Sequence, residues 1–322
     1  MQRRSLLAIV ALSCATLGAQ AQGTYPDQPI KWVVPYPAGG GTDTLARTLA
    51  DAMRGALGQP MLIDNRPGAA TNIGADAVAK SKPDGYTVMS ADNAMMAFNE
   101  HLFKKLPYDP AKDFTYIGAI GRFPLALVVH PGFPAKTFKE FLAYVKANPG
   151  KVNYASPGPG SPHHLAMEMF KYRTQTDMVH VPYKGAAPAM QDVVGGQVPV
   201  MFLDLASGLQ YIQGNKVRAL AIGTSKRSAV LPEVPTLAEE GVKDVDVFAF
   251  QGMVGPAGMP AAIVTRLNQE LNKALADPAV VKKFTDFGME TIASTPEQFK
   301  AMARAESERW GPIIKANHIA LD

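Results

Sequence analysis

Apolar and polar residues alternate along this chain in blocks whose period changes. Ile30-Lys31-Trp32-Val33-Val34-Pro35-Tyr36 is a short, mainly apolar run that predicts a strand, and Gly39-Gly40-Gly41 ends it. From about Thr42 to Leu57 the period lengthens. Leu45, Leu49, Met53 and Leu57 recur every four positions, the spacing of one buried helical stripe, and Gly58 stops the helix. Arg47 and Asp51 share another face at i,i+4, where they can pair. Met61–Asn65 predicts a second strand, Ile73–Lys80 a helix, and Tyr86-Thr87-Val88-Met89 a third strand. Further strands are predicted at Leu125–His130, Val152–Ala155, Val179–Tyr183, Val198–Leu203 and Val217–Ile222. From about Ala261 to Ile314 the pattern is mainly helical, with stripes at Ile263, Leu267 and Leu271 and at Phe299, Met302 and Trp310. Thr137-x-x-Glu140 and Thr236-x-x-Glu239 are capping boxes, and Thr295-Pro296-Glu297-Gln298 joins a cap to a first-turn proline. Strands alternating with helices predict an α/β architecture with mostly parallel sheets.

The chain has 322 residues, enough for two domains, and 47% of them are hydrophobic, which excludes a disordered chain. No Ser/Gly-rich tether, charge block or repeat separates the domains. The chain is therefore expected to cross between them more than once, at the apolar stretches Leu125–Val129 and Val247–Val254. That division makes residues 22–124 and 248–322 a discontinuous first domain and residues 125–247 an inserted second one.

Residues 1–21 read as a signal peptide. Arg3 and Arg4 precede an apolar run, Leu6 to Leu17, too short to span a bilayer, which takes roughly 20 residues. Ala19-x-Ala21 then offers the small residues of a cleavage site. The Arg pair leaves Sec and twin-arginine routes both open. The lone cysteine, Cys14, lies in this segment, in a poor context for lipid attachment, so the cleaved chain has no thiol chemistry. The formal charge of +4 falls to about +2 once Arg3 and Arg4 are removed, and no dense basic run follows, so a nucleic-acid partner has no support. The expected compartment is the periplasm.

Glycine-rich turns carry the candidate chemistry. In Tyr36-Pro37-Ala38-Gly39-Gly40-Gly41-Thr42-Asp43 a strand feeds a glycine turn that opens a helix, with Thr42 or Asp43 as its N-cap. Free N–H groups at such a helix start carry about half a positive charge and face an anion in the turn. Ser156-Pro157-Gly158-Pro159-Gly160-Ser161-Pro162-His163-His164 repeats the arrangement, with Ser161 as N-cap and Pro162 as first helical residue. Two such turns, one per domain, can hold the two ends of a dicarboxylate. A third, Tyr183-Lys184-Gly185-Ala186, is placed to line the same cleft. Enzyme readings fare worse. Gly39-x-Gly41 with Asp64 imitates a dinucleotide fingerprint, but Thr44 stands where its third glycine belongs. No Walker lysine follows any glycine loop. His164 and Glu168 share a helix face without a His-Glu-x-x-His pattern, so a metal site is not expected, and His163 and His164 read as capping or packing residues. Neither Ser156 nor Ser161 sits in Gly-x-Ser-x-Gly, which leaves an exported serine hydrolase as the rival reading. The 15 methionines, Met95-Met96 among them, read as core or pocket wall.

A series of phrases in order resembles one family across the whole cleaved chain. They are Tyr25-Pro26, Pro37-Ala38-Gly39-Gly40-Gly41-Thr42-Asp43, Asn65-Arg66-Pro67-Gly68-Ala69, Pro83-Asp84-Gly85-Tyr86-Thr87, Asp113-Phe114 and Ser156-x-Gly158-x-Gly160-Ser161. His164-Leu165, Val181-Pro182-Tyr183-Lys184-Gly185, Arg218-Ala219-Leu220-Ala221 and Pro235-Thr236-x-x-Glu239-x-Gly241 complete them. The chain resembles a Bug-type extracytoplasmic solute receptor, the substrate-binding protein of tripartite tricarboxylate transporters. The resemblance implies a two-domain periplasmic-binding-protein (type II) fold that closes on a small carboxylate held by backbone N–H groups, hydroxyls and waters. It places the first binding loop at Ala38, Gly39, Gly40, Gly41, Thr42 and Asp43, after Tyr36, and the second at Ser156, Gly158, Gly160 and Ser161, before His164. Asp204 and the Ala91–Asn93 segment (Ala91 and Asn93) are further expected liners. Two departures stand out: Phe250-Gln251-Gly252 replaces an aromatic Trp-x-Gly, and Ala69-Ala70-Thr71 lacks a usual glycine. The implied partners are a carboxylate and the membrane subunits of a secondary transporter, with a membrane sensor kinase as the alternative receiver. No cofactor, metal or catalysis is expected, and the chain is expected to be a monomer. A dicarboxylate is favoured; an aromatic acid such as terephthalate would need Phe98, Phe202 and the Met95-Met96 pair to flank its ring.

Overall fold

The computed structural model describes residues 25–243 and 245–321; the expected signal segment, with Arg3, Arg4 and Cys14, lies outside the described residues. The first third of the chain runs β1 (Ile30–Val34), α1 (Gly41–Leu57), β2 (Met61–Asn65), α2 (Asn72–Ala79) and β3 (Thr87–Asp92), then a π-helical turn at Ala94–Phe98 and the short α3 (Asn99–Leu102). The long β4 (Phe114–Val129) leads into α4 (Phe138–Ala147), β5 (Asn153–Ser156), α5 (Pro162–Thr174), β6 (Val179–Pro182), α6 (Ala186–Val194), β7 (Val200–Asp204), α7 (Leu205–Gln213) and β8 (Arg218–Ile222). The chain returns through β9 (Phe248–Pro256) to α8 (Ala261–Ala276), α9 (Pro278–Asp286), β10 (Glu290–Thr291) and α10 (Pro296–Ala316).

The strand order is β2-β1-β3-β9-β4-β7-β5-β6, with β8 and β10 also on β4. The outer strands pair in parallel, as the alternating pattern predicts: β1 with β2 and β3, and β5 with β6 and β7. The middle is antiparallel instead, because β4 and β9 run against each other and against β7 and β3. β4 serves two sheets in succession. Its residues up to Pro124 pair with β9, and from Leu125 onward it pairs with β7 and β8. Both continuous apolar stretches picked from the sequence are thus parts of strands in this central ribbon.

Local signals explain the elements that shape the site. In α1 the residues Leu45, Leu49, Met53 and Leu57 are all buried, and Gly58 closes the helix at φ 70°, its N–H reaching the Arg54 carbonyl. Arg47 pairs with Asp43 at 3.0 Å, not with the expected Asp51, because Asp43 is turned inward as the anchor of its own loop. The Thr137 and Thr295 capping boxes form as expected. Thr236 and Glu239 make the same reciprocal bonds, although the chain there turns without becoming a helix. Ala69, Ala70 and Thr71 all take positive φ, at 46°, 50° and 73°, so the chain adopts glycine-like geometry where the resemblance calls for a glycine. Phe98, Phe202, Met95 and Met96 are core residues, which removes them from any role flanking a ligand ring. No helix among the described residues is long and apolar enough to cross a membrane.

Candidate functional site

Four helices begin around one cleft of about 640 Å³. Its wall combines Tyr36, Ala38, Gly40, Gly41 and Thr42 at the start of α1, Pro162 and His163 at the start of α5, and Gly185, Ala186, Ala187 and Pro188 at the start of α6. Asp204, which opens α7, is also on the wall. The floor comes from the central ribbon: Phe123 of β4 faces Ala249 of β9 across the ladder, and Asp92 of β3 is the register partner of Gln251 of β9.

The four helix starts differ in how their orphan N–H groups are satisfied. Ser161 caps α5, its hydroxyl accepting from the His164 N–H, and Asp204 caps α7 by accepting from the Ser207 N–H at 2.8 Å. By contrast α1 begins after Gly40 and α6 after Gly185, and neither has a side-chain cap. The first-turn N–H groups of a helix have no carbonyl of their own to bond, so these two starts can offer donors to an anion. They sit on different sheets and open on the same cleft. The expected N-cap role for Thr42 or Asp43 is therefore corrected. Asp43 lies in the first turn and accepts from Gly39 N–H, Arg47 and Asn65, so it shapes the loop and takes up the Gly39 donor. Burial works against its ionised form, but the Arg47 bond, the Gly39 N–H and Asn65 together hold its carboxyl below the usual carboxylate value.

Of the expected residues, Tyr36, Ala38, Gly40, Gly41, Thr42 and Asp204 line the cleft. Gly158 and Ser161 line a neighbouring cavity of about 920 Å³ that shares Tyr36, Pro37, Pro157 and Gly185 with it. Ala91 is packed in the core, and the Asn93 side chain accepts from Phe250 N–H, tying β3 to β9. Gly160 donates to His164 Nδ1 and packs beside Leu102 and Leu321, away from the cleft. His164 stacks on His180 with ring centroids 4.1 Å apart. The Ser156 hydroxyl, fully buried, bonds His180 Nε2 at 2.6 Å and also accepts from Gly158 N–H. It does not line the cleft. Sequence reasoning placed the Ala91–Asn93 segment but named its outer residues rather than Asp92, and it missed Phe123, His163, Ala249 and Gln251. Only Gln251 carried a local signal, as a departure from the resembled Trp-x-Gly.

Two buried carboxyls, Asp92 and Asp204, stand on the cleft wall. Among the described residues no lysine or arginine lines it. Tyr36 donates its hydroxyl to Asp92 at 2.5 Å, and Met95 N–H reaches the other Asp92 oxygen. Burial raises the Asp92 carboxyl above its ordinary value, with the Tyr36 and backbone bonds pulling the other way; burial and the adjoining Asp92 raise the Tyr36 phenol strongly. Asp204 accepts from His163 Nε2 at 3.0 Å and from the Ser207 hydroxyl at 2.6 Å. Against the cost of burial, those partners hold it below the ordinary carboxylate value. Replacing Asp204 with alanine removes a helix cap and leaves His163 without its partner. The expected loss is about 1–3 kcal/mol, read as a lower urea midpoint at constant m-value. An unchanged midpoint would contradict this role.

Residues 45–319 match the family described as the tripartite tricarboxylate transporter family receptor, and the chain belongs to that family. BugT of Bordetella pertussis is 37% identical over 319 residues, 98% of each protein. Among solved structures, the R. palustris protein Rpa4515 with adipate superposes with a TM-score of 0.89 at 33% identity, over 92% of this chain and 99% of that one. MatC from Rhodopseudomonas palustris with bound malate gives 0.86 at 33% identity, over 90% and 100%. The α/β periplasmic-binding-protein fold expected from the sequence is the fold observed, shared with other solved periplasmic proteins.

Proposed function

We propose that this member of the tripartite tricarboxylate transporter receptor family is a periplasmic receptor that closes on an aliphatic dicarboxylate and leaves it chemically unchanged. One observation carries the reading: α1 and α6, neither of which has a side-chain cap, open on one cleft from different sheets. Each carboxylate of the ligand supplies the cap that a glycine cannot. A helix start contributes about 0.3–1 kcal/mol to a nearby anion when exposed, and up to about 2 kcal/mol when partly buried. The second anchor thus moves from the expected Ser156–Ser161 turn to Gly185–Ala187. Two relatives of this fold were solved with adipate and with malate, which supports a ligand of that size range.

The moving parts in this reading are two lobes, residues 22–124 with 248–322 and residues 125–247. The switch of β4 from one sheet to the other at Pro124 and Leu125 supports that division. A ligand shifts the open–closed balance only by its preference for the closed form, and contacts with α1 and α6 together exist only there. The closed form is what membrane subunits of the transporter would recognise. Export by way of residues 1–21 places the receptor in the periplasm, as a monomer.

The test is calorimetry and thermal shift with succinate, malate, adipate and acetate, and scattering with and without the best of them. At 100 times its dissociation constant a ligand adds about 2.7 kcal/mol, so a rise of several degrees in melting temperature is expected with the dicarboxylates, along with a smaller radius of gyration. A folded protein that answers to none of them, or that converts one of them, would overturn the proposal.

A further inference from the structure

The two helix starts supply donors, while the buried side-chain atoms of the cleft wall that lack any partner include a carbonyl acceptor, Gln251 Oε1. We infer that the dicarboxylate this cleft prefers carries a hydrogen-bond donor on its carbon chain, a hydroxyl or an ammonium, and that Gln251 and His163 read it. The inference rests on the dicarboxylate-receptor reading and adds to it the substituent and the residues that select it.

Gln251 is 3% exposed and His163 7%. The Gln251 Nε2 donates to the Thr42 hydroxyl at 3.0 Å, and its Oε1 has no partner among the described residues. His163 Nε2 faces an Asp204 oxygen at 3.0 Å; a carboxylate can only accept, so the ring proton sits on Nε2. With Nε2 committed to Asp204, Nδ1 is the ring's remaining polar atom, and it too is buried without a partner. Among the described residues no other buried, unpartnered side-chain atom belongs to a residue of the cleft wall. Asp92 and Asp204 stand on the same wall, but their oxygens are already bonded, to Tyr36 and Met95 N–H and to His163 and Ser207.

A buried acceptor that loses water and gains no donor is a penalty that binding must carry. Succinate and adipate bring only methylene groups to the middle of the cleft. Malate brings a hydroxyl there and aspartate an ammonium. A site built to bond such a group discriminates against analogues lacking it far more strongly than a pocket that only senses size.

The experiment is calorimetry of the full protein with succinate, adipate, malate and aspartate, repeated for Gln251→Met and His163→Phe. Malate or aspartate is expected to bind at least about tenfold tighter than succinate. A gain for malate alone identifies a hydroxyl, and a gain for aspartate alone identifies an ammonium. In each variant the ratio of malate or aspartate affinity to succinate affinity is expected to shrink toward unity. Succinate binding as tightly as both substituted acids would overturn the inference and leave the receptor reading intact. A preference unchanged in both variants would overturn the assignment to these residues. Failure of all four acids to bind the folded protein would instead remove the dicarboxylate reading itself. His163→Phe unpairs Asp204 and can lower stability, but the wild-type ratio and Gln251→Met decide the matter without it.

Discussion

Replacing Gly41 with leucine is expected to weaken dicarboxylate binding at least a hundredfold, about 2.7 kcal/mol, while the ligand-free protein keeps nearly its normal melting temperature. Gly41 opens α1 without a positive φ, so a side chain there costs the helix nothing by itself. What it meets lies on the other sheet: a Cβ would stand 3.0 Å from Asp204 Oδ1 and 3.2 Å from Ala206 Cβ. The start of α1 and the start of α7 therefore touch only because residue 41 lacks a side chain. Leucine would hold them apart and separate the two anchors. Gly40 is the control, since its Cβ would find nothing nearer than the Pro37 carbonyl oxygen at 3.9 Å. Gly160 is a different case. At φ 74°, with Leu321 2.9 Å and Leu102 3.1 Å from its Cβ, substitution strains the backbone and the packing, so its effect falls on stability. Calorimetry on the Gly41→Leu and Gly40→Ala proteins makes the comparison. Equal, undiminished affinity in both would show that close approach at residue 41 plays no part in the bound state.

The second large effect is a steep loss of stability in mild acid. Burial, then the Lys171 charge, lowers the His164 pKa from 6.5 to about 4; burial, then the neighbouring His164, lowers His180 to about 3. Between the folded values and the ordinary value the unfolded chain binds protons that the folded chain refuses. Stability from these rings is therefore complete above about pH 6.5 and drains away as pH falls toward 4. One such group changes stability by at most about 1.4 kcal/mol per pH unit. The depressed carboxyls of Asp43 and Asp204 add losses at lower pH, and the raised carboxyl of Asp92 opposes them. Urea midpoints measured from pH 7 to 4.5 should fall continuously in the wild type and markedly less in His164→Gln. A flat profile, or the same slope in the variant, would contradict neutral, buried rings in the stack.

The features legible in the sequence are those set by near neighbours. The four-residue stripe of α1, the Gly58 stop and the Thr137 and Thr295 boxes emerge where the spacing puts them. The stretches Leu125–Val129 and Val247–Val254 were readable as strand because strands covered on both faces are continuously apolar. Strand direction was not readable. Nothing local tells β9 to enter between β3 and β4 antiparallel to both. At the site, the loop from Ala38 to Thr42 stood out through its glycines; Pro157, Pro162 and His163 of the second turn also line the cleft, but the helix that follows them is already capped. Ser161 followed by Pro162 caps its own helix, whereas Gly185 has no side chain to do so. Reading each glycine turn for whether its helix is already capped would have ranked the third turn above the second. Asp92 and Gln251 meet only through strand register, and no window of sequence contains both.

The position of β9 also sets the order in which the molecule can assemble. β3 and β4 share no ladder; each pairs with β9, which the ribosome makes only after every strand of the second sheet. Until then the early strands have no central partner, and closing the loop between β4 and β9 must wait for the intervening residues to compact. The second sheet has all its strands beforehand, β4 included, and can nucleate first. A nascent chain of this design keeps its first sheet incomplete until β9 has been made.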